Sequence, residues 1–280
     1  MSLLFLSTNG QSPAVNLREA FLAGQAPDRG LYLPEKFPRL APAEIAAFAG
    51  MPYHEIAFRV LSQYTGGIIP DPDLAAMCRQ AYDFNIPLEK IHDQVFLMRL
   101  DQGPTASFKD FAAQMMARMF GYFLRETGQH VTILTATSGD TGAAVAHAFH
   151  NVPGVQVIVL FPTAEVSDSQ RKLMTTLREN VRTVAVDGKF DDCQAMVKRA
   201  FADPALSHIS LSSANSINIG RLLPQSVYYF YAASRLAPGG ETIVFSIPSG
   251  NFGDMMGAIV AREMGLPVRK IVAAVNANDA

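Results

Sequence analysis

The sequence has little of several features that mark particular classes of protein. It has no tryptophan and only two cysteines in 280 residues, and 17% of its residues are charged, against about 25% in typical domains. Cys78 and Cys193 lie far apart without a Cys-x-x-Cys motif, which excludes a disulfide framework and favours a reducing, cytoplasmic location. No apolar run approaches the roughly 18–20 residues of a membrane helix, so we expect no membrane span.

Charge and hydrophobicity narrow the class further. With 23 basic and 25 acidic residues the net charge is −2, so no overall positive field attracts nucleic acid or acidic membranes. Hydrophobic residues make up 49% of the chain, which excludes a disordered or coiled-coil protein. The length is consistent with about two domains.

The spacing of apolar residues predicts two styles of structure. Proline and glycine punctuate residues 1–90, where short helices are predicted at about 16–23, 42–49, 53–64 and 72–82. Beyond residue 93, strands and helices alternate. Strands are predicted at 95–100, 131–135, 155–161, 181–186, 209–212, 242–247 and 268–275, and helices at 108–126, 141–150, 167–178, 191–201, 216–236 and 252–264. This alternation predicts parallel sheets covered by helices on both faces, with ligands bound at the carboxyl ends of strands.

The first unusual loop, residues 101–110, contains a lysine at the start of a predicted helix. A Gly103-Pro104 turn leads into the helix, Ser107 is a candidate N-cap, and Lys109 falls in the first turn. The positive end of a helix disfavours a cation, so a lowered pKa is expected, as suits an amine that reacts with an aldehyde. The alternative is a solvent-exposed lysine that points away from any site.

Two further loops are rich in glycine. Residues 135–142 read TATSGDTG and join a strand to a helix, as in an anion site at a helix N-terminus; alternatively, Asp140 or Thr141 simply caps the helix. Residues 248–254 read PSGNFGD, where glycines let backbone amides approach a phosphate. The alternative there is a glycine needed only for packing. The loop has neither a Walker A ending nor the dinucleotide-binding spacing.

Together the three loops offer an imine-forming lysine, a phosphate anchor and a clamp for a substrate anion, which is the set that pyridoxal phosphate chemistry needs. The motifs resemble those of the threonine synthase family. The resemblance rests on GPTASFKD (103–110), TATSGDTG (135–142) and IPSGNFGD (247–254), with further support from FLSTNG (5–10), DRGLYLP (28–34), SANSINIGR (213–221) and NAND (276–279).

The resemblance implies a fold-type II pyridoxal-phosphate-dependent α/β enzyme, a carbon–oxygen lyase that acts on a phosphate ester. It would convert O-phospho-L-homoserine and water to L-threonine and phosphate. By the same resemblance, the chain lacks the C-terminal part of the family. The implied architecture is an N-terminal, mainly helical segment (1–92), a larger cofactor domain (93–120 and 213–280) and a smaller inserted α/β domain (121–212).

The resemblance also implies residue roles. Lys109 would bind the cofactor covalently and act as general base. Seven other residues would contact the cofactor: Asp140, Ser249, Gly250, Asn251, Phe252, Gly253 and Asp254. Eight would contact the substrate: Thr137, Ser138, Gly139, Thr141, Asn215, Ser216, Asn218 and Arg221. Asp140 stands where related enzymes often have an asparagine near the cofactor hydroxyl, and an ionised carboxylate can only accept hydrogen bonds.

The expected partner is a small phosphorylated amino acid, with no metal, nucleic acid or membrane, and the expected state is a monomer or homodimer. Two alternatives stay open. One is a phospho-lyase that shares all three loops but releases a keto acid. The other is a non-enzymatic module that binds a phosphate ligand or a protein partner.

Overall fold

The structure, a computed structural model, describes residues 3–277. Within them, the strands are β1 (Phe5–Ser7), β2 (Tyr32–Pro34), β3 (Leu88–His92), β4 (Val95–Met98), β5 (Val131–Ala136), β6 (Val155–Pro162), β7 (Val181–Val186), β8 (Leu211–Ser212), β9 (Ile243–Pro248) and β10 (Val268–Ala274). The helices are α1 (Leu17–Ala23), α2 (Pro42–Ala46), α3 (Tyr53–Thr65), α4 (Asp71–Ala81), α5 (Lys109–Thr127), α6 (Asp140–Phe149), α7 (Asp168–Thr175), α8 (Phe190–Ala202), α9 (Ile219–Leu222), α10 (Val227–Leu236) and α11 (Gly253–Glu263).

Two parallel sheets carry the strand ends at which ligands were expected. One has four strands in the order β7-β6-β5-β8, and the other pairs β9 with β10. The predicted parallel α/β architecture is therefore confirmed. Residues 131–212 supply all strands of the first sheet, and the second sheet is separate from it. This separation supports an inserted domain, and the domain boundaries stay a prediction.

The amino-terminal region is less purely helical than predicted. β1 and β2 form an antiparallel pair, and β3 and β4 form an antiparallel hairpin. The strand predicted at 95–100 is thus part of a hairpin rather than a parallel sheet. The other strands of these pairs escaped prediction because three-residue strands are too short to show a period of two. β3, with the sequence LEKIH, is also mostly exposed and has few apolar residues.

Helix α5 is the central element of the core. Thirteen of its residues are buried, and its aromatic rings contact α1 through Phe21–Phe120 and α6 through Phe120–Phe149, each with ring centroids 5.5 Å apart. Burying each such side chain stabilises the fold by about 1.5–3 kcal/mol. Packing along its whole length fixes the position of its first turn, where Lys109 lies.

The long helix predicted at 216–236 is wrong. The chain forms α9, then a 3₁₀ turn over Leu223–Ser226, then α10. Pro224 has no N–H to donate within a helix and its ring clashes with the preceding turn, which explains the interruption. The turn lets α11 pack closely: a Cβ at Gly257 would lie 2.7 Å from the Gln225 carbonyl oxygen.

Candidate functional site

The structure brings the predicted loops together around Lys109. The Lys109 Nζ lies 3.3 Å from Asp140 Oδ2 in the loop that follows β5. The hydroxyl of Thr135, at the end of β5, donates to Asn215 Oδ1 in the loop after β8. A Cβ at Gly253, after β9, would lie 3.7 Å from Ser216 Cβ. Four chain segments that are distant in sequence thus share one site.

The turn before α5 is built to hold Lys109 in place. The carboxylate of Asp110, fully buried, accepts from the Thr105 N–H at 2.8 Å and from the Thr105 hydroxyl at 2.7 Å. Gly103 permits this approach, because a Cβ there would lie 2.6 Å from Asp110 Oδ2. The Ser107 hydroxyl accepts from the Lys109 N–H at 3.3 Å. The N-cap of α5 is Phe108 and has no side-chain cap hydrogen bond, so the prediction of Ser107 as N-cap is wrong by one residue.

The Lys109 amine is electrostatically unusual. Burial lowers its pKa, which Asp140 raises and Arg221 lowers further, while Asp254 raises it by a smaller amount. The predicted direction is confirmed, although burial is the largest cause. Nζ also lies 4.4 Å from the centroid of the Phe108 ring. A lowered pKa increases the neutral, nucleophilic fraction of the amine near neutral pH.

Side chains of the protein fill most of the space inside and beside the β5 loop, residues 137–142. The Thr137 hydroxyl oxygen accepts from the N–H groups of Gly139 and Gly142, each at 2.9 Å. Thr137 therefore organises the start of α6, and the alternative caps Asp140 and Thr141 are wrong. A Cβ at Gly139 would lie 2.5 Å from the Gln170 side chain, and one at Gly142 would lie 2.5 Å from Met174 and Thr137. A side chain at either position would force these neighbours to shift, and the φ of +140° at Gly139 itself favours glycine.

The β9 loop, residues 249–253, is open. Within residues 3–277, the N–H groups of Gly250, Asn251, Phe252 and Gly253 have no protein acceptor. Among the described residues, a Cβ at Gly250 would meet nothing within 4 Å, and one at Gly253 would meet only ordinary contacts at 3.7 and 3.9 Å. Free amides at the N-terminus of α11, with space before them, form a cradle that fits a phosphate group.

Three predicted contact residues use their polar atoms within the protein. Asn218 caps α9: its Nδ2 donates to the carbonyls of Phe21 and Ser213, and its Oδ1 accepts from Gly220 N–H. Ser249 Oγ donates to the Ile247 carbonyl. Asp254 Oδ1 accepts from the Tyr228 and Tyr229 hydroxyls, both at 2.6 Å. These side chains shape the loops, and direct ligand contact by them is disfavoured.

Arg221 is a buried cation near the site that lacks a paired carboxylate in the described chain. It is 4% exposed and donates through Nη1 to the Ala214 carbonyl at 3.2 Å, and its buried Nε has no hydrogen-bond partner among residues 3–277. Burial lowers its pKa to about 10. Within the described chain it forms no ion pair with a carboxylate. Its depth argues against direct contact with a large substrate, whereas its charge favours an anion nearby.

The remaining predicted residues present accessible groups. Ser138, Asp140, Ser216, Asn251 and Phe252 are exposed, and Thr141 and Asn215 are half-buried. In the part of the chain described, the hydroxyls of Ser138, Thr141 and Ser216 make no hydrogen bond, and neither do the N–H groups of Ser138, Asp140 and Thr141. These groups remain available to an anion near Lys109.

Sequence reasoning missed Gln170. Its Nε2 donates to Asp140 Oδ1 at 2.6 Å, and its Oε1 accepts from the Ser167 hydroxyl at 2.9 Å. Ser167 and Gln170 form the capping box of α7, a Ser-x-x-Gln signal visible in the sequence. What the sequence does not show is that this cap faces the β5 loop.

Other features of the chain lie apart from this site. A groove of about 750 Å³ runs between α4, α5 and the end of α6, and none of the predicted site residues lines it. Among residues 3–277, no helix has the length and apolar character to span a membrane, and no three potential metal-ligating His, Cys, Asp or Glu residues cluster together. Of the NAND segment, Asn278 and Asp279 lie outside the described residues.

Two family descriptions match the chain from end to end. Residues 4–82 match the threonine synthase N terminus, and residues 83–280 match the pyridoxal-phosphate dependent enzymes. The chain belongs to the pyridoxal-phosphate dependent enzyme family. The α/β fold-type II architecture expected from the motifs is thereby confirmed, and so is the resemblance to threonine synthases.

Individual relatives within this family are threonine synthases. That of Pseudomonas aeruginosa is 43% identical over 282 residues, which cover 98% of this chain and 60% of the relative, and that of Escherichia coli is 43% identical over 267 residues, covering 95% and 62%. The solved structure of PLP-bound threonine synthase from Brucella melitensis matches with a TM-score of 0.92 at 41% identity, covering 98% of this chain and 60% of that one. The chain thus spans about three fifths of the length of these relatives.

Proposed function

We propose that this chain binds pyridoxal 5'-phosphate and acts in the threonine synthase reaction, in which O-phospho-L-homoserine and water give L-threonine and phosphate. The observation that carries the proposal is the combination of two features. One is the lowered pKa of the Lys109 amine, which Asp254, directly after the β9 loop, influences; the other is the β9 loop itself, whose four N–H groups have no acceptor among residues 3–277. The first suits reaction with an aldehyde and the second suits a phosphate. Threonine synthase relatives that share the fold support the choice of reaction.

The residues present fit this cofactor. The β9 loop would hold the phosphate through the N–H groups of residues 250–253, and Lys109 Nζ would bond to the aldehyde carbon. When bound, the cofactor withdraws electrons from the substrate and so makes its carbon–hydrogen bonds more acidic. The protein orients the reacting groups, and the packing of α5 fixes where the Lys109 amine can reach.

Lys109 is the group proposed to move protons. Its amine lies 3.3 Å from the Asp140 carboxylate, and the charge of Arg221 lowers its pKa. A neutral amine with a lowered pKa can accept a proton from substrate carbon and return it later. This is why the same residue is proposed both to bind the cofactor and to act as the base.

The substrate anion is proposed to bind at the β5 loop. The free hydroxyls of Ser138 and Thr141 and the free N–H groups at the start of α6 are donors for a carboxylate or phosphate. Two residues of the loop after β8 would complete the rim: Ser216 lies beside Gly253 of the β9 loop, and Asn215 accepts from the Thr135 hydroxyl at the end of β5. Arg221 would contribute charge from beneath rather than through contact.

Several broader expectations belong to the same proposal. The inserted domain (121–212), the monomeric or homodimeric state and the small phosphorylated substrate are retained. A reducing cytoplasmic setting is consistent with Cys78 and Cys193, which are both free thiols and both buried.

The decisive experiment treats the chain with pyridoxal 5'-phosphate, reduces the adduct with borohydride and identifies the modified residue by mass spectrometry. We expect the label on Lys109. It should be lost in Lys109→Ala and retained in Lys172→Ala, which alters an exposed lysine of α7. Label on another lysine would contradict the assignment. Incubation with O-phospho-L-homoserine should then release threonine and phosphate; a keto acid in place of threonine would favour the phospho-lyase.

A further inference from the structure

A chain of hydrogen bonds connects the cap of α7 to the Lys109 amine. The Ser167 hydroxyl and N–H both donate to Gln170 Oε1, at 2.9 and 3.2 Å. This fixes the orientation of the amide, so that Gln170 Nε2 donates to Asp140 Oδ1 at 2.6 Å. The second oxygen, Asp140 Oδ2, then lies 3.3 Å from Lys109 Nζ.

The absence of a side chain at Gly139 leaves room for Gln170 in this position. The amide group of Gln170 lies so close to Gly139 that a Cβ there would approach its Cδ and Nε2 to 2.5 Å. The backbone of Gly139 has φ +140°, a region open to glycine. The loop therefore has a shape that admits the Gln170 amide and leaves Asp140 at its tip.

Without Gln170, nothing in the described chain would orient Asp140 apart from Lys109 itself. The Asp140 side chain is 47% exposed, and its hydrogen bonds are those to Gln170 and Lys109. A half-exposed carboxylate in a single ion pair spends much of its time solvated. A second, well-oriented donor removes that freedom and keeps the negative charge beside the amine.

We propose that Gln170 is a positioning residue that holds the Asp140 carboxylate against Lys109 and thereby limits how much of the amine is neutral before an aldehyde binds. This rests on the proposed function, since Lys109 is the amine in question. Besides burial, which is the largest cause, three charged groups influence the protonation of Lys109: Asp140 on α6, Arg221 on α9 and Asp254 on α11. Of the two carboxylates, Asp140 makes the direct contact, so its orientation has the larger influence.

Before an aldehyde binds, the ion pair with Asp140 therefore restrains the Lys109 amine, which is the nucleophile. Condensation with an aldehyde needs the neutral amine: its nitrogen bonds to the carbonyl carbon, a C=N bond forms and one water leaves. An amine paired with Asp140 favours the protonated form, which cannot attack. Entry of the cofactor must separate the pair, and Gln170 keeps the released carboxylate at the rim of the site.

The test measures amine protonation without the cofactor. Trace acetylation with acetic anhydride from about pH 6 to about pH 11, read by mass spectrometry, gives the labelling of Lys109 relative to Lys198, an exposed lysine of α8. Asp140→Asn removes the charge but keeps an oxygen for Gln170. Gln170→Met keeps the charge of Asp140 and the bulk of the side chain but removes all three hydrogen bonds of the Gln170 amide group. Gln63→Met, at an exposed glutamine of α3, is the matched control.

The labelling profile of Lys109 should move to lower pH in both site variants. At about pH 7, relative labelling should rise roughly tenfold in Asp140→Asn and roughly threefold in Gln170→Met, with Gln63→Met unchanged. Ser167→Ala, which removes one donor to Gln170, should shift the profile in the same direction by less. It serves as a second variant should Gln170→Met fold poorly.

A Gln170→Met profile that coincides with wild type, or moves to higher pH, would overturn the proposal. A lower melting temperature with an unchanged profile would show a merely structural role and would overturn it equally. The outcome is separable from the proposed function. If wild-type Lys109 formed no adduct with pyridoxal 5'-phosphate yet the profiles shifted, only the function would fail, and an adduct with unshifted profiles would refute only the role of Gln170.

Discussion

The β5 loop and the β9 loop look alike in sequence and differ in what their glycines do. In the β5 loop, side chains of the protein fill the space beside Gly139 and Gly142, and the Thr137 hydroxyl oxygen accepts hydrogen bonds from two of the backbone amides. In the β9 loop, no described residue fills the space beside Gly250, and four successive amides have no acceptor in that part of the chain. Glycine can thus be required by the fold or by a ligand, and the surrounding atoms distinguish the two cases.

The largest expected effect on stability is at Gly142. In Gly142→Ala the new Cβ would lie 2.5 Å from Met174 Sδ and Thr137 Cγ2, so the cofactor-free protein should lose about 1–3 kcal/mol of unfolding free energy. Urea unfolding measures this. Gly250→Ala is the matched control and should change stability by less than about 0.5 kcal/mol. Equal losses of unfolding free energy in the two variants would contradict the proposed difference between the loops.

A smaller loss is expected when the β5 loop loses its internal acceptor. Thr137→Val keeps the shape but leaves the N–H groups of Gly139 and Gly142 without the oxygen that they share, at a cost of about 1–2 kcal/mol. Thr137→Ser keeps the hydroxyl and should retain most of the stability. If the serine variant were as unstable as the valine variant, the methyl group rather than the hydroxyl would organise the loop.

The smallest effect concerns the carboxylate that follows the β9 loop. Burial raises the pKa of Asp254 above 3.8, against the opposing influence of Tyr228, Tyr229 and Lys109. A raised folded-state pKa means that folding takes up a proton, so this contribution to stability is complete below 3.8 and is lost as pH rises through the folded-state pKa.

Asp254→Asn, which stays neutral, should remove that pH dependence. Its Oδ1 can still accept from both tyrosines. The unfolding free energy of the variant relative to wild type should therefore increase as pH rises above 3.8, as measured by urea unfolding at a series of pH values. A difference that is constant or decreases with pH would show that Asp254 is more stable ionised than neutral in the fold.

The sequence predicted the helices and strands better than it predicted which side chains form hydrogen bonds with each other. The strands that end at the site and the place of Lys109 at a helix start were all predictable, because periodicity and turn residues are local signals. The hydrogen bonds of Asn218, Asp254 and Gln170 join residues up to 197 positions apart, and no local pattern encodes them. Residue type alone made Asn218 and Asp254 look like ligand contacts, although the fold uses both internally.

The most direct test of the β9 loop as the phosphate site is the affinity of Gly253→Ala for pyridoxal 5'-phosphate, with its melting temperature measured in the absence of cofactor. The added Cβ meets the protein only at 3.7 and 3.9 Å, so the melting temperature should stay unchanged. The affinity should fall by roughly tenfold or more, because a side chain would obstruct the phosphate. Unchanged affinity in a folded variant would contradict the assignment.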